Sequence, residues 1–207
     1  MFTDRSDAGR RLAQSLTRYS EEDPLVLALP RGGVPLGREV AAALNAPLDV
    51  VNVRKLGAPS NPEFAFGAVG EGGAVVVDEP TMSALGISPR IRDQLIAQAN
   101  AEIQSRVTAF RAGRDLVDVT ERTVLVVDDG LATGSTAAAA VMVLRHLGAA
   151  RIIFAVPTGS RSAVERLRQL CDEVVCLEIP DDFGSVGAQY ESFPQVTESE
   201  VLTALGR

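Results

Sequence analysis

The chain has 207 residues, of which 46% are hydrophobic and 23% charged, a composition typical of a globular protein with a substantial core. Its net charge of −7 argues against general nucleic-acid binding, because that function requires a basic surface. No apolar run approaches the roughly 20 residues of a membrane span, and the charged first residues lack a signal segment, so we expect a cytoplasmic protein.

The first half of the chain predicts alternating helices and strands and then a long loop. Hydrophobic periodicity favours helices over residues 5–19 and 37–44, and strands over residues 25–29, 48–53 and 74–77. Before the last of these strands, residues 57–73 are rich in glycine, proline and asparagine. They predict a long loop with a short strand at its far end.

The second half continues the alternation. Ser88 and Pro89 form a good helix start, and apolar residues then recur every three or four positions to Phe110, which predicts a long amphipathic helix to Gly113 for packing or dimer contact. Strands are expected over residues 124–127, 151–157 and 173–179, and helices over 137–145, 161–170 and from Thr197. We therefore predict an α/β fold in one domain, residues 1–207, with a doubly wound, mostly parallel sheet of about five strands. Ligands of such sheets bind at the carboxyl ends of the strands.

Residues 124–136 carry the clearest functional signal. Four apolar residues predict a buried parallel strand, and Asp128 and Asp129 follow where it ends. A turn of small residues, 132–135, then leads through Thr136 into an Ala-rich helix, where free N–H groups and the helix dipole favour an anion. The two carboxylates can accept hydrogen bonds from vicinal sugar hydroxyls. One end of the segment is therefore suited to a phosphate and the other to a ribose.

This segment resembles the signature of the type I phosphoribosyltransferases, which bind 5-phosphoribosyl 1-diphosphate (PRPP) with a hydrophobic strand, two acids and a Thr-Gly-x-Thr loop. The resemblance implies that Asp128 and Asp129 hold the ribose, stabilise developing positive charge and are candidate metal ligands, directly or only through ribose hydroxyls and water. It also implies Mg²⁺ as a cofactor and a role in nucleotide salvage. The residues expected to hold the 5-phosphate are Ala132, Thr133, Gly134, Ser135 and Thr136.

Two earlier segments resemble the family's pyrophosphate-binding parts. Arg31, Gly32 and Gly33 follow the first core strand and combine a forked cation with exposed backbone N–H groups. They are similar to the family's pyrophosphate loop, which carries a cis peptide. Arg54 and Lys55 begin the segment, through residue 70, that stands in the place of the mobile catalytic loop, and the resemblance implies that both neutralise the departing pyrophosphate. Lys55 is the single lysine beside 19 arginines, which hints at a site that needs a compact ammonium.

The tail resembles the hood that covers the acceptor base in hypoxanthine-guanine members of the family. The core is expected over about residues 20–180 and the hood over about 180–207, with the N-terminal helix packed nearby. The resemblance implies that Phe183 stacks on the acceptor ring and that backbone groups near Val186 contact its edge. The alternative is that Phe183 fills a small core under a loop.

Two departures from those purine enzymes concern the general base and the acceptor. Ala132 replaces the acid that many of them carry just before Thr-Gly, as in adenine-type members, and no lysine follows the strand near Thr158. Glu63 and Glu71 are candidate bases, although a surface charge is the default interpretation of each. Because Phe183 lies in a tail that resembles a purine hood, we expect a purine acceptor in preference to a pyrimidine.

We therefore expect an enzyme that transfers ribose 5-phosphate from PRPP to a nucleobase-like nitrogen and releases pyrophosphate. The alternative is a sensor of the same fold that binds PRPP or a nucleotide without chemistry and needs no mobile cationic loop. A phosphohydrolase with Asp128 as nucleophile leaves the Thr-Gly-Ser-Thr turn unexplained. The expected partners are PRPP, a small heterocyclic acceptor and a second copy in a homodimer, without nucleic acid or membrane.

Overall fold

A parallel sheet of five strands forms the centre of the molecule. The computed structural model describes residues 1–111 and 113–207, with all of their side chains except that of Glu63. The strands, in chain order, are β1 (Leu25–Ala28), β2 (Leu48–Val50), β3 (Val53–Ala58), β4 (Asn61–Gly70), β5 (Val75–Val77), β6 (Thr123–Val127), β7 (Arg151–Thr158) and β8 (Glu173–Glu178). The helices are α1 (Arg5–Leu16), α2 (Gly33–Leu44), α3 (Glu79–Ala84), α4 (Pro89–Arg111), α5 (Ser135–His146), α6 (Arg161–Leu167) and α7 (Glu198–Ala204).

The order of the strands creates a switch point between β1 and β6. The large sheet runs β2-β1-β6-β7-β8, and all of its neighbouring strands are parallel. After β1 the chain adds β2 on one side, and it later returns to add β6, β7 and β8 on the other. The predicted α/β class with a five-stranded parallel sheet is confirmed.

Both faces of this sheet are covered by helices, which explains the continuous apolar runs of its strands. Every residue of β1 and the last four residues of β6 are inaccessible to solvent. Because side chains of a strand alternate between faces, Val26 and Leu125 pack with α1 and α2, whereas Leu27 and Val126 pack with α5 and α6. The sheet edge that carries the loops is therefore held by a core on each side.

A second, antiparallel sheet replaces the long loop that was predicted over residues 57–73. β3 and β4 form a hairpin around a two-residue turn, and β5 pairs with the other edge of β4. The glycines that indicated a loop lie where strands touch: a Cβ at Gly57 would lie 2.4 Å from the Pro62 carbonyl oxygen, and one at Gly67 would lie 2.3 Å from that of Val76. These glycines therefore allow close contact between backbones instead of marking a loop.

The small sheet is held between two helices. A Cβ at Gly70 would lie 2.3 Å from Cγ1 of Val143 in α5, so this end of β4 rests directly on that helix. On the other side, Leu56 and Phe66 pack in one cluster with Ile103 of α4. The hairpin is thus fixed to the core through helices that also border the site.

A buried ionic network anchors the base of the small sheet and corrects the interpretation of Glu71. Glu71 is 3% exposed and accepts from Arg111 Nε at 2.7 Å, so it is neither a surface charge nor placed as a base. Arg111 also pairs with Asp49, which accepts from Arg207 Nη2 at 2.8 Å, while Asn52 donates to Glu71 at 2.7 Å. Breaking such a buried pair typically costs about 3–5 kcal/mol. The other candidate base, Glu63, lies outside the described side chains.

Other boundaries differ from the prediction by a few residues. α1 ends at Leu16 and continues as a 3₁₀ turn to Glu22, while α2 begins at Gly33 instead of residue 37. Pro35 fits the first turn of α2, where a missing N–H is harmless. The strand predicted over 48–53 is divided between β2 and β3.

In the described part of the chain, no helix has both the length and the apolar character needed to cross a bilayer.

Candidate active site

The site lies where the turn after β1 meets the end of β6. Ala28 is opposite Val127, so both strands end at the same point of the sheet, the switch point where ligands of such folds bind. A Cβ at Gly33 would lie 2.4 Å from the Val127 carbonyl oxygen, and one at Gly32 would lie 2.0 Å from Oδ2 of Asp129. Gly33 is therefore required by the contact of the turn with the end of β6, and Gly32 by its contact with the Asp129 side chain.

The turn itself presents a cation to this edge. The peptide bond between Pro30 and Arg31 is cis, as the resemblance to the pyrophosphate loop implies. The Gly33 N–H donates to the Leu29 carbonyl oxygen at 3.0 Å, so the turn leads directly into α2. Arg31 is half-buried, and within the described residues its guanidinium has no hydrogen bond or ion pair. Its charge is thus available to an anion.

The two acids that follow β6 lie side by side in a poorly solvated position. Oδ1 of Asp128 accepts from the Asp129 N–H at 2.9 Å. Burial raises the pKa of Asp128 well above its usual value, and the neighbouring Asp129 carboxylate raises it further. Burial also raises the pKa of Asp129, against the opposing charge of Arg5. Hydroxyl donors from a sugar would stabilise the ionised form of both acids.

The N-terminal helix supplies a cation to this acid pair. Arg5 donates from Nε to Oδ2 of Asp129 at 3.0 Å, and its Nη2 lies 2.9 Å from the same oxygen. The two side chains are only 11% and 16% exposed, so this is a largely buried ion pair. Arg5 also donates to the Pro194 carbonyl oxygen at 2.5 Å, and its guanidinium carbon lies 3.7 Å from the centre of the Phe193 ring. One side chain thereby joins α1, the acids and the tail.

The turn over residues 132–136 forms a small cavity at the start of α5. The cavity has a volume of about 150 Å³ and is lined by Asp128, residues 130–137 and Val186. Gly134, the N-cap residue of α5, has a φ of +76°, which favours glycine and leaves the N-cap position without a side chain. Thr133 Oγ1 accepts from the Ser135 N–H at 3.4 Å, and the dipole of α5 favours an anion at this helix start. Thr133 and Thr136 are exposed, so their hydroxyls can add donors.

The hairpin and α4 enclose a larger cleft that reaches Asp128. This cleft has a volume of about 560 Å³, and Pro30, Arg54 and Lys55 are among its lining residues. Arg54 pairs with Glu102 of α4 at 2.5 Å, and its Nε is buried without a partner in the described part of the chain. The structure therefore brings the two hairpin cations to the cleft that the turn after β1 borders.

The tail lies over the acids and the small cavity. A Cβ at Gly130 would lie 2.5 Å from Cγ1 of Val186, so Val186 rests on the turn after β6. The Tyr190 hydroxyl donates to the Asp129 carbonyl oxygen at 2.5 Å, and its ring centre lies 4.8 Å from that of Phe193. Burial raises the pKa of Tyr190, which keeps the hydroxyl a donor.

Phe183 is half-buried and lines neither of these two cavities in the described structure. Its carbonyl oxygen accepts from Nε2 of Gln189 at 2.8 Å, which holds the tail in a compact bend. Stacking of Phe183 on an acceptor ring, and contact of the ring edge with backbone groups near Val186, stay predictions.

Three residues at the site were missed by the sequence analysis, namely Arg5, Tyr190 and Arg106. Arg5 and Tyr190 lie far from the acids in the chain, and no local pattern connects them. Arg106 of α4 lines the larger cleft, and its signal in the sequence is that it follows Glu102 by one helical turn, beside the apolar stripe.

The comparison with protein families agrees with this geometry. A family model described as phosphoribosyl transferase domain matches residues 3–192. The chain belongs to this family. The matched range includes the acid pair, the turn over residues 132–136, Arg5 and Tyr190.

Relatives of this phosphoribosyl transferase domain share its whole length. Two sequences of Mycobacterium tuberculosis, MT0597 from strain CDC 1551 / Oshkosh and Rv0571c from strain ATCC 25618 / H37Rv, are each 46% identical over 207 residues, and their names assign a phosphoribosyl transferase only provisionally. The chain spans 47% of the length of these curated relatives. The crystal structure of TT1426 from Thermus thermophilus is 43% identical, with a TM-score of 0.92 over 99% of this chain and 97% of that one.

Asp128→Asn is expected to stabilise the unliganded phosphoribosyl transferase domain at pH 7, by on the order of 1 kcal/mol, since each unit of pKa displacement corresponds to about 1.4 kcal/mol. The folded chain binds the Asp128 proton more tightly than the unfolded chain. As the pH rises above the pKa of about 3.9 that an aspartate has in the unfolded chain, ionisation of Asp128 therefore lowers the free energy of unfolding. Urea unfolding should show a gain that shrinks as the pH is lowered from 7 toward 4.

The matched control is Asp115→Asn, because Asp115 is exposed and its replacement should leave the free energy of unfolding unchanged. A loss of stability in Asp128→Asn, equal at both pH values, would contradict the assignment of the cost to the buried carboxylate.

Proposed function

We propose that this domain transfers ribose 5-phosphate from PRPP to a nitrogen of a planar heterocycle and releases pyrophosphate. One observation carries the proposal: Asp128 and Asp129 lie between the start of α5, whose N-cap residue is Gly134, and a turn that bears Arg31, at the switch point of the sheet. Two anion-binding elements thus flank two adjacent acceptors, which matches a sugar that carries a phosphate at each end.

Each part of PRPP has residues suited to hold it. The 5-phosphate would accept from the N–H groups and hydroxyls of residues 132–136 in the small cavity. The ribose hydroxyls would donate to Asp128 and Asp129. The pyrophosphate would lie toward Arg31 and the cleft that Arg54 and Lys55 line.

In the proposed reaction, the bond between ribose C1 and the pyrophosphate oxygen breaks, and its electron pair leaves with the pyrophosphate. The acceptor nitrogen supplies the electron pair of the new bond to C1. Asp128 and Asp129 would stabilise the positive charge that develops on the ribose, and Lys55 the negative charge that develops on the leaving group. Ala132 offers no base, so the acceptor is expected to be one whose proton leaves readily.

The acids present suit a Mg²⁺ ion that is held mainly by the substrate. No three metal-binding side chains come together among the described residues, so they form no protein cage for a metal. Mg²⁺ commonly takes one or two carboxylates together with substrate phosphates and waters, and Asp128 and Asp129 supply that number. When bound, Mg²⁺ would neutralise charge on the pyrophosphate.

We propose that the acceptor is a purine in preference to a pyrimidine. Support comes from the tail, which lies over the acids through Val186 and Tyr190 and carries Phe183 as a candidate stacking residue. Cytoplasmic nucleotide salvage is the role that such a transfer would serve.

The direct test is incubation of the protein with PRPP, Mg²⁺ and a panel of purines and pyrimidines, with pyrophosphate release as the readout. We expect release that depends on at least one heterocycle, with purines ahead of pyrimidines. PRPP binding without release for any base would favour the non-catalytic sensor, and the absence of PRPP binding would contradict the proposal.

Lys55→Ala is expected to lower kcat by about 100-fold, while PRPP affinity falls much less, because the ammonium acts mainly on charge that develops as pyrophosphate leaves. Steady-state kinetics and calorimetry with PRPP separate the two effects. Lys55→Arg keeps the charge and should recover part of the loss. Wild-type turnover in Lys55→Ala would show that the ammonium takes no part in the reaction.

A further inference from the structure

The long helix α4 presents a guanidinium to the cleft where the leaving group is expected. Arg106 lines the cleft together with Arg54 and Lys55, on the helix face that also carries Glu102. Arg106 is half-buried, and within the described residues it has no hydrogen bond or ion pair. An unpaired guanidinium at such a position is costly unless a ligand pairs with it.

Two other arginines lie close enough to Arg106 to affect its charge. Burial lowers the pKa of Arg106, and the charges of Arg54 and Arg31 lower it further, against an opposing effect of Glu102. The Arg106 guanidinium on α4 is therefore repelled by that of Arg54 on the hairpin and by that of Arg31 on the turn after β1.

The pairing of Arg54 is incomplete as well. Its guanidinium reaches Glu102 at 2.5 Å, but its Nε is buried with no partner among the described residues. Among the described residues, the other acid in the lining is Asp128, which has a raised pKa and lies on the ribose side of the cleft. An anion with several oxygens in this cleft would accept from Arg54 and Arg106.

We infer that Arg106 is a pyrophosphate-binding residue, so that α4 completes the leaving-group site from outside the three segments that the sequence motifs identify. The inference rests on the proposed function for the identity of the anion. Glu102 and Arg106 lie one helical turn apart, beside the apolar stripe that continues through Ile103 and Val107.

Calorimetry with three probes tests the inference: pyrophosphate with Mg²⁺, PRPP with Mg²⁺, and ribose 5-phosphate. Arg106→Gln should weaken the binding of pyrophosphate and PRPP by about 10- to 100-fold, as expected for one lost charge-assisted donor. Ribose 5-phosphate should bind as in the wild type, because its phosphate is held at α5. Arg106→Lys keeps the positive charge but loses the forked guanidinium. Its affinities for pyrophosphate and PRPP should therefore lie between those of the wild type and those of Arg106→Gln.

The matched control is Arg90→Gln, which removes the same charge from an exposed position of the same helix and should change none of the three affinities. Unchanged pyrophosphate affinity in Arg106→Gln would overturn the inference. Equal weakening of ribose 5-phosphate would also overturn it, because it would indicate a structural role. If wild-type protein bound pyrophosphate through Arg106 but neither PRPP nor ribose 5-phosphate, the proposed function would fail while the anion site remained.

Discussion

The close approach of the turn after β1 to the end of β6 is the constraint on which the site depends. Gly33 leaves no room for a Cβ against the Val127 carbonyl oxygen, and Gly32 leaves none against Asp129. With a larger residue at either position, the turn would have to move away from the acids. The distance between the Arg31 turn and the acid pair is therefore set by the contact of Gly33 with the Val127 backbone and of Gly32 with the Asp129 side chain.

Charge is divided between the two sides of this contact. On one side, the buried acids are balanced by Arg5, which the tail holds through Pro194 and Phe193. On the other, Arg106 lines the cleft together with Arg54 and Lys55, and the charges of Arg54 and Arg31 lower its pKa. In a chain with a net charge of −7, these cations would favour an anion in the cleft. The hairpin and α4 thus border the candidate site together with the signature segment.

The sequence was sufficient for the parts of the site that are local in the chain. The strand, acids and helix start over residues 124–136 follow from hydrophobic pattern and turn chemistry, and so does the parallel sheet. The hairpin was missed because Gly57 and Gly67 indicate a loop by composition, whereas their function is close strand contact. Glu71 was missed as a buried partner of Arg111 because tertiary ion pairs have no periodicity, and the same holds for Arg5 with Asp129.

Calorimetric binding of PRPP with Mg²⁺ to the wild type and to Asp129→Asn tests whether the acid pair accepts hydrogen bonds from the ribose hydroxyls. If it does, loss of the Asp129 charge should weaken PRPP binding by about 10- to 100-fold, the effect of about 1.5–3 kcal/mol for charge-assisted hydrogen bonds. Binding of pyrophosphate alone should be unchanged. No PRPP binding to the wild type, or equal PRPP affinity in the two proteins, would contradict the account.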